Sequence, residues 1–192
     1  MPRRNLDKRL VITEAAALVN EIGFSNLSLR LLAERLNIKP PSLYNHITNL
    51  EELKQELMIY GWEELSRQLT KALTDESGDE AIRLVCRTFY DFAVCNPGVF
   101  EAIAFCTTDD KKMSTNASDE FLVVLLKALE TRNITEENAC HIRRLVRSYI
   151  EGFALLVNHK TFNVAPVPLK DSFDFGVELI INAVHALDAG SK

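Results

Sequence analysis

The sequence predicts an all-α fold of about nine helices, and three observations predict it. Apolar residues recur at spacings of three and four through almost every segment, which lines one face of a helix. No stretch alternates apolar and polar residues as a half-buried strand does. Short breaks rich in Gly, Pro, Asn and Asp separate the periodic segments: Gly23, D-E-S-G-D at 75–79, N-P-G at 96–98, and K-T-F-N-V-A-P-V-P at 160–168. At 192 residues such helices can bury a sizeable core in one or two domains.

Residues 5–22 form the first expected helix. Val11, Ala15, Leu18, Val19 and Ile22 make one apolar stripe, Gly23 ends it, and Phe24 is expected to plug the small core. Ser28 is a natural N-cap for the second, whose Leu29, Leu32, Ala33 and Leu36 share a face while Arg30, Glu34 and Arg35 point away. A tight turn leads to a third helix that opens on Pro40 and Pro41 and is expected to end near Ile47. First-turn positions need no intrahelical N–H, so two prolines are tolerated there and nowhere later. Leu43 and Ile47 anchor this helix, which leaves Ser42, Tyr44, Asn45 and His46 on its outer surface. A short exposed helix of that chemistry, leaning on another, is how a helix-turn-helix meets a DNA groove. Residues 1–48 therefore read as a DNA-binding domain and 49–192 as a second helical domain.

The second domain begins with a long helix carrying apolar residues at 50, 53, 57, 60, 65, 69 and 73, with Glu51 and Glu52 favourable in its first turn. A helix over 80–95 presents Ile82, Val85, Cys86, Phe89 and Phe92 on one face. N-P-G then stops it and restarts another with Phe100, Ile103, Ala104 and Phe105. Residues 107–116 are a polar loop, and 118–131 a helix with Phe121, Leu122, Leu125, Leu126 and Leu129. Thr135 starts the most regular pattern in the chain, running through Ile142, Leu145, Val146, Tyr149, Ile150, Phe153, Ala154 and Val157. In the last helix, about 170–188, Glu178, Asn182 and His185 form only a narrow polar stripe. A helix apolar over most of its circumference must be buried on two sides. One side is expected to meet the chain's own body and the other a second copy, with Tyr149, Ile150, Phe153, Val177, Ile180, Ile181 and Val184 at a two-fold four-helix interface. The alternative is the central helix of a monomeric bundle.

The net charge of −5 divides unevenly. Residues 1–46 carry seven Lys and Arg (Arg3, Arg4, Lys8, Arg9, Arg30, Arg35, Lys39) against four acids, giving +3, and the remainder carries −8. A small basic end on an acidic body suits a protein that touches phosphate at one end only, although a solvated tail would look the same. No apolar run approaches the roughly 18–20 residues of a membrane span, and M-P-R-R-N-L-D-K-R lacks the apolar core of a signal peptide. A cytoplasmic protein with no membrane partner is expected. Cys86, Cys95, Cys106 and Cys140 are scattered, so neither a zinc site nor a disulfide framework is implied; buried thiols are expected, with a redox switch as the alternative. No G-x-S-x-G, phosphate-cradling glycine loop or H-E-x-x-H occurs, and no enzyme, metal or cofactor is expected.

The stretches A-A-L-V-N-E-I-G-F-S-N-L-S-L-R-L-L-A-E-R-L-N-I, P-S-L-Y-N-H and the following L-E-E-L resemble the DNA-binding domain of the tetracycline-repressor (TetR) family over roughly the first 60 residues. T-F-Y-D-F-A-V-C-N-P-G-V-F (88–100) is similar to one ligand-domain subclass. That subclass has a later Trp, His, Gly signature, where this chain carries Arg147, Glu151 and Gly152. The resemblance implies a homodimeric, ligand-responsive transcription regulator, usually a repressor, in which ligand in the body changes the separation of two DNA-binding heads. It puts Arg30 where some members place a base-contacting arginine. Pro41, Ser42, Tyr44 and His46 fall at DNA-facing positions, Tyr44 and His46 mainly against phosphates. Two positions depart from the family pattern: Pro40 replaces a possible base-reading side chain, and Leu50 stands where a phosphate-contacting lysine is common.

The expected DNA-contacting set is Ser28, Arg30, Lys39, Pro41, Ser42, Tyr44, Asn45 and His46, on a double-stranded operator. Arg30 could pair with guanine O6 and N7, worth about 1–3 kcal/mol of discrimination, or pair within its helix with Glu34. The Tyr44 hydroxyl suits phosphate, Asn45 could read adenine, and His46 could simply cap carbonyls. The expected effector contacts are Phe89, Phe92, Phe105, Tyr149 and Phe153, with Arg147 and Glu151, against the alternative of ordinary core and a surface ion pair. Ten phenylalanines beside one tryptophan suggest a small, largely apolar effector. A competing assignment for the whole chain is an all-α ligand-binding or interaction module with a vestigial helix-turn-helix.

Overall fold

Side-chain caps decide where most of the helices begin. In the computed structural model, which describes residues 6–74, 76–106, 125, 127, 129, 132–162 and 166–189, α1 (Lys8–Ile22) starts on Asp7, whose carboxylate accepts from Leu10 N at 2.7 Å. The helix thus opens three residues later than its apolar pattern predicts. Gly23, at φ 86°, ends it and sends its N–H back to Val19 O. A single 3₁₀ turn, Phe24–Asn26, leads to α2 (Leu29–Arg35), capped by the Ser28 hydroxyl on Leu31 N. Phe24, expected to plug the small core, is only half-buried.

The turn out of α2 passes through Asn37 at φ 54°, a left-handed conformation that asparagine tolerates better than most residues. Helix α3 (Pro40–Leu43) is one turn long, shorter than expected: His46 and Ile47 both send their N–H groups back to Leu43 O, which closes it off. Helix α4 (Leu50–Ala72) begins where the Asn49 side chain accepts from Glu52 N at 2.8 Å, while the Glu52 carboxylate accepts from Thr48 N at 2.7 Å. This is a reciprocal cap of the capping-box kind. Then come α5 (Gly78–Cys95), α6 (Pro97–Phe105), α7 (Glu136–Asn158, capped by Thr135) and α8 (Leu169–Ala189). Of the helix expected over 118–131, Leu125, Lys127 and Leu129 are helical; its other residues lie outside the described residues, as does the loop 107–116. Among the described residues there are eight α-helices and no strand, so the fold is all-α.

The chain forms two compact units, which do not follow a single cut at residue 48. The first comprises residues up to Glu64 together with the segment from Asn96, and the second comprises Leu65–Cys95 with the C-terminal part. In the first, Val11, Ala15, Val19, Leu32, Leu43, Ile47, Leu53 and Leu57 are fully buried. Helix α6 belongs here because α1 holds it. Asn96 occupies the cap position without making a capping bond; instead the Asn20 Oδ1 atom of α1 accepts from Gly98 N (3.0 Å) and Val99 N (3.1 Å). Asn20 Nδ2 also donates to Asn96 Oδ1 at 3.3 Å.

In the second unit α5 packs on α7 and α8, burying Ile82, Val85, Phe89 and Phe92 against Ile142, Val146, Ile150 and Ala154, and Phe173, Val177, Ile181 and Val184. Gly176 lets α7 and α8 approach, because a Cβ there would run into the Tyr149 ring and hydroxyl. The polar flank of α8 is tied to α5. Arg83 grips Glu178 through Nε (2.6 Å) and Nη2 (2.9 Å), and Arg87 donates to Asp174 at 3.0 Å.

Candidate nucleic-acid interface

The outer surface of α3 is set from beneath. Leu43, at the end of α3, and Ile47, after the turn that follows it, are buried to within 1% of completeness and anchor that turn. Pro41, Ser42, Tyr44 and Asn45 are exposed, Tyr44 to 55%, and His46 is half-buried. An aromatic ring left this open on a turn anchored at both ends has no role in the core. Lys39 is also exposed, at the start of α3. On α2 the exposed Arg30 donates through Nε to Glu34 at 2.9 Å, so the intrahelical pair foreseen as its alternative is formed. Ser28 spends its hydroxyl on the first turn of α2, which makes it a holder of the motif before it is a contact to anything outside.

The basic end is smaller than the charge count implies. Lys8 donates to Glu52 (3.2 Å) and Glu56 (2.6 Å), fastening α1 to α4, and its ammonium is pushed up from 10.5 chiefly by the hydrogen bond to Glu56, against the opposing effect of burial. Arg35 donates through Nε to Glu14 (3.0 Å) and through Nη1 to Glu21 (2.7 Å). Two of the seven cations counted in the basic end therefore bind the head together instead. Arg3 and Arg4 lie outside the described residues, so of these seven Arg9 and Lys39 are the described ones that no acid engages.

The same cluster is expected to make the head acid-sensitive. Hydrogen bonds from the Thr48 side chain and backbone hold the Glu52 carboxyl below its ordinary 4.5, with Lys8 adding to them and burial opposing. A carboxylate lowered by folding contributes stability fully present above its unfolded value and lost as pH falls through its folded value. The melting temperature of the head is expected to drop as pH is taken below about 4.5, and Glu52→Gln to flatten that drop. Thermal melts followed by circular dichroism at successive pH values measure it; an unchanged pH profile in the variant would remove Glu52 from the account.

The residues expected to meet an effector do not form one set. Phe89 and Phe92 are buried in α5, but Phe105 is 61% exposed at the end of α6, in the other compact unit. Arg147 and Glu151 pair with each other on α7 at 2.7 Å, roughly 160° around the helix from Tyr149 and Phe153. What the structure does assemble is an aromatic cluster. Phe173 stacks on Tyr90 (centroids 4.3 Å) and Tyr149 (5.3 Å), while Phe153 meets Phe173 (5.3 Å), Tyr90 (6.0 Å) and Phe162 (4.9 Å). The sequence reading missed Tyr90, Phe162 and Phe173. Only Phe173 left a signal, four residues before Val177 on the same face.

The expected interface residues also need correction. Ile150, Val177, Ile180, Ile181 and Val184 are buried inside their own chain, and the Tyr149 hydroxyl donates to Phe173 O at 2.9 Å while its ring packs with Phe153 and Phe173. A side chain consumed by its own core is not available to a partner. The open large apolar residues of α7 and α8 are Leu145, Leu156, Leu169, Phe175 (66% exposed) and Leu179 (53%).

Residues 11–57 match the family model described as bacterial regulatory proteins, tetR family, and residues 82–180 the one described as tetracyclin repressor-like, C-terminal domain. A curated relative, the uncharacterised HTH-type transcriptional regulator YobS of Bacillus subtilis, is 30% identical over 184 residues, covering 95% of each chain. The chain belongs to the TetR family. As a TetR-family protein it is a DNA-binding transcriptional regulator with a helix-turn-helix. Solved structures share the fold. A TetR variant from Acinetobacter baumannii AYE, in complex with minocycline, superposes with a TM-score of 0.74 at 24% identity, covering 96% of this chain and 99% of that one. BioQ with its double-stranded DNA operator gives 0.68 at 21%, covering 95% and 99%.

Proposed function

We propose that this TetR-family regulator is a repressor that binds a near-palindromic operator as a homodimer and leaves it when a small, largely apolar effector binds. The observation that carries the DNA-reading part is the exposed surface of α3 and the turn after it (Pro41, Ser42, Tyr44, Asn45), anchored by the buried Leu43 and Ile47, together with the exposed Arg30 of α2. Tyr44, His46, Lys39 and Arg9 suit phosphate, which sets register, while Arg30 and Asn45 carry groups able to read base edges. Pro40 and Pro41 offer the bases only apolar contact. With few free cations on the described part of the head, affinity leans on geometry, and a dimer spanning two major grooves about 34 Å apart supplies it.

The second copy is assigned to the outer faces of α7 and α8. Leu145 and Leu156, with Phe175 and Leu179, leave apolar surface on neighbouring helices that a two-fold four-helix arrangement would cover. Leu179→Glu combined with Phe175→Ala is expected to give monomers at micromolar concentration in analytical ultracentrifugation, with far-ultraviolet circular dichroism unchanged. A dimer of wild-type strength would move the interface elsewhere. For the effector, the aromatic cluster around Phe153 and Phe173 is the favoured neighbourhood, and a relative of the same fold crystallised with minocycline supports a small-molecule effector. The function is cytoplasmic, where operator DNA is. No helix among the described residues is long and apolar enough to cross a membrane.

The test is operator selection from random DNA by the wild-type protein, followed by mobility shift across a salt series. Affinity should fall as salt rises, with a slope set by the few phosphate-facing cations. Tyr44→Phe should weaken every site alike by about three- to tenfold, the effect of one lost hydrogen bond. Arg30→Ala should relax preference at one position of each half-site by about tenfold or more. Selection that returns no common sequence would sink this reading in favour of a ligand-binding module with an idle helix-turn-helix.

A further inference from the structure

On α2 an acid stands on a surface that the DNA-reading assignment turns toward phosphate. Glu34 is exposed, and a carboxylate there repels any DNA that approaches. Its geometry supplies a reason for it. Glu34 Oε1 accepts from Arg30 Nε at 2.9 Å, one helical turn away, and Arg30 Nη1 and Nη2 hold no partner among the described residues. The neighbouring cation does not compete: Arg35 directs Nε, Nη1 and Nη2 to Glu14 and Glu21 on α1.

A guanidinium presents its N–H groups in a rigid planar fork, and guanine offers O6 and N7 as two adjacent acceptors. A fork can meet them end-on, through Nη1 and Nη2, or side-on, through Nε and one Nη. Occupying Nε removes the side-on mode and restricts the rotation of a long side chain before DNA arrives, so less freedom is lost on binding. We propose that Glu34 is a positioning residue for base readout, holding Arg30 by Nε so that its Nη1–Nη2 edge is presented to a guanine. This rests on the assignment of Arg30 as a base reader. Glu34 accordingly raises discrimination while lowering affinity for DNA in general.

The experiment uses the full-length dimer and the operator selected from random DNA, with each base pair of the half-site changed in turn and an unrelated duplex as the non-specific reference. Glu34→Ala is expected to reduce discrimination at the Arg30-dependent position by about five- to tenfold and to tighten binding to the unrelated duplex. Glu34→Gln, which keeps an acceptor for Nε and removes the charge, should keep most of the discrimination while tightening the unrelated duplex similarly. In the Arg30→Ala background Glu34→Ala should bring no further loss of discrimination, since the two act as one unit. If Arg30→Ala itself leaves every position unchanged, the base-reader assignment fails. If Arg30→Ala relaxes one position and Glu34→Ala leaves that discrimination intact, or weakens all duplexes alike, the positioning role is overturned. Melting temperatures of all variants separate either result from loss of the fold.

Discussion

Gly98→Ala is expected to destabilise the DNA-reading unit by about 3 kcal/mol or more and to abolish operator binding at concentrations where the wild type saturates. A Cβ at Gly98 would lie well inside 3.0 Å of the carbonyl oxygen and carbon of Val19, closer than real Cβ atoms come. Overpacking costs about 1–3 kcal/mol when side chains can yield, and here backbone faces backbone, so one helix has to move. Moving α6 off α1 also draws Gly98 N and Val99 N away from Asn20, uncapping the N-terminus of α6 in a part-buried site. Asn20→Ala separates these contributions. It removes the cap without crowding the contact and should cost about 1–2 kcal/mol, the usual range for a lost cap. Urea denaturation followed by circular dichroism, with Asn20→Ala and Gly98→Ala beside the wild type, gives both values. A Gly98→Ala protein of wild-type stability would mean that α1 and α6 are not in backbone contact.

What the sequence revealed, and what it hid, divides by the distance between partners. Ser28 capping α2, Thr135 capping α7, and the anchors Leu43 and Ile47 each depend on neighbours within a turn or two, and the structure has them as their spacing predicts. Lys8 and Arg35 count toward a basic end in the chain, yet their acids lie 44 and 48 residues away in one case and 14 and 21 in the other. Helix α6 reads as part of the body until Asn20, 78 residues earlier, is seen to cap it. The last helix posed a different problem. Phe173, Val177, Ile180, Ile181 and Val184 form one stripe at helical spacing, and Phe175, Leu179, Ala183 and Ala186 form another. Periodicity ranks them equally, so it could not say which faces inward. The small residue beside Tyr149 marks the inward stripe, because α7 approaches α8 closely across Gly176, on the face of Phe173 and Ile180.

Gly176→Ala is therefore the second substitution with a large effect, expected to cost the C-terminal unit about 2–4 kcal/mol. The added methyl would meet the Tyr149 hydroxyl and ring well inside 3.0 Å. A free tyrosine would swing aside at little cost, but this one is held at both ends. Its ring packs with Phe173 at 5.3 Å, and its hydroxyl donates to Phe173 O at 2.9 Å. Displacing it gives up a hydrogen bond in a part-buried site and breaks the stack, in addition to the overpacking itself. Burial is the main cause that pushes the Tyr149 hydroxyl up to about 12. In Gly176→Ala a tyrosine driven toward water should titrate nearer its ordinary value of about 10, visible as an earlier phase in the ultraviolet titration of the four tyrosines. Tyr149→Leu in the same background should recover part of the loss, a coupling of about 1–2 kcal/mol, because it removes the atoms that the methyl strikes. The consequence reaches the function through α7 and α8 together. If these helices are spread, Leu145 and Leu156 no longer keep their spacing to Phe175 and Leu179, and the dissociation constant of the dimer should rise with the loss of stability. A variant that keeps its stability, its dimer and its tyrosine titration would show that α7 and α8 do not meet across Gly176.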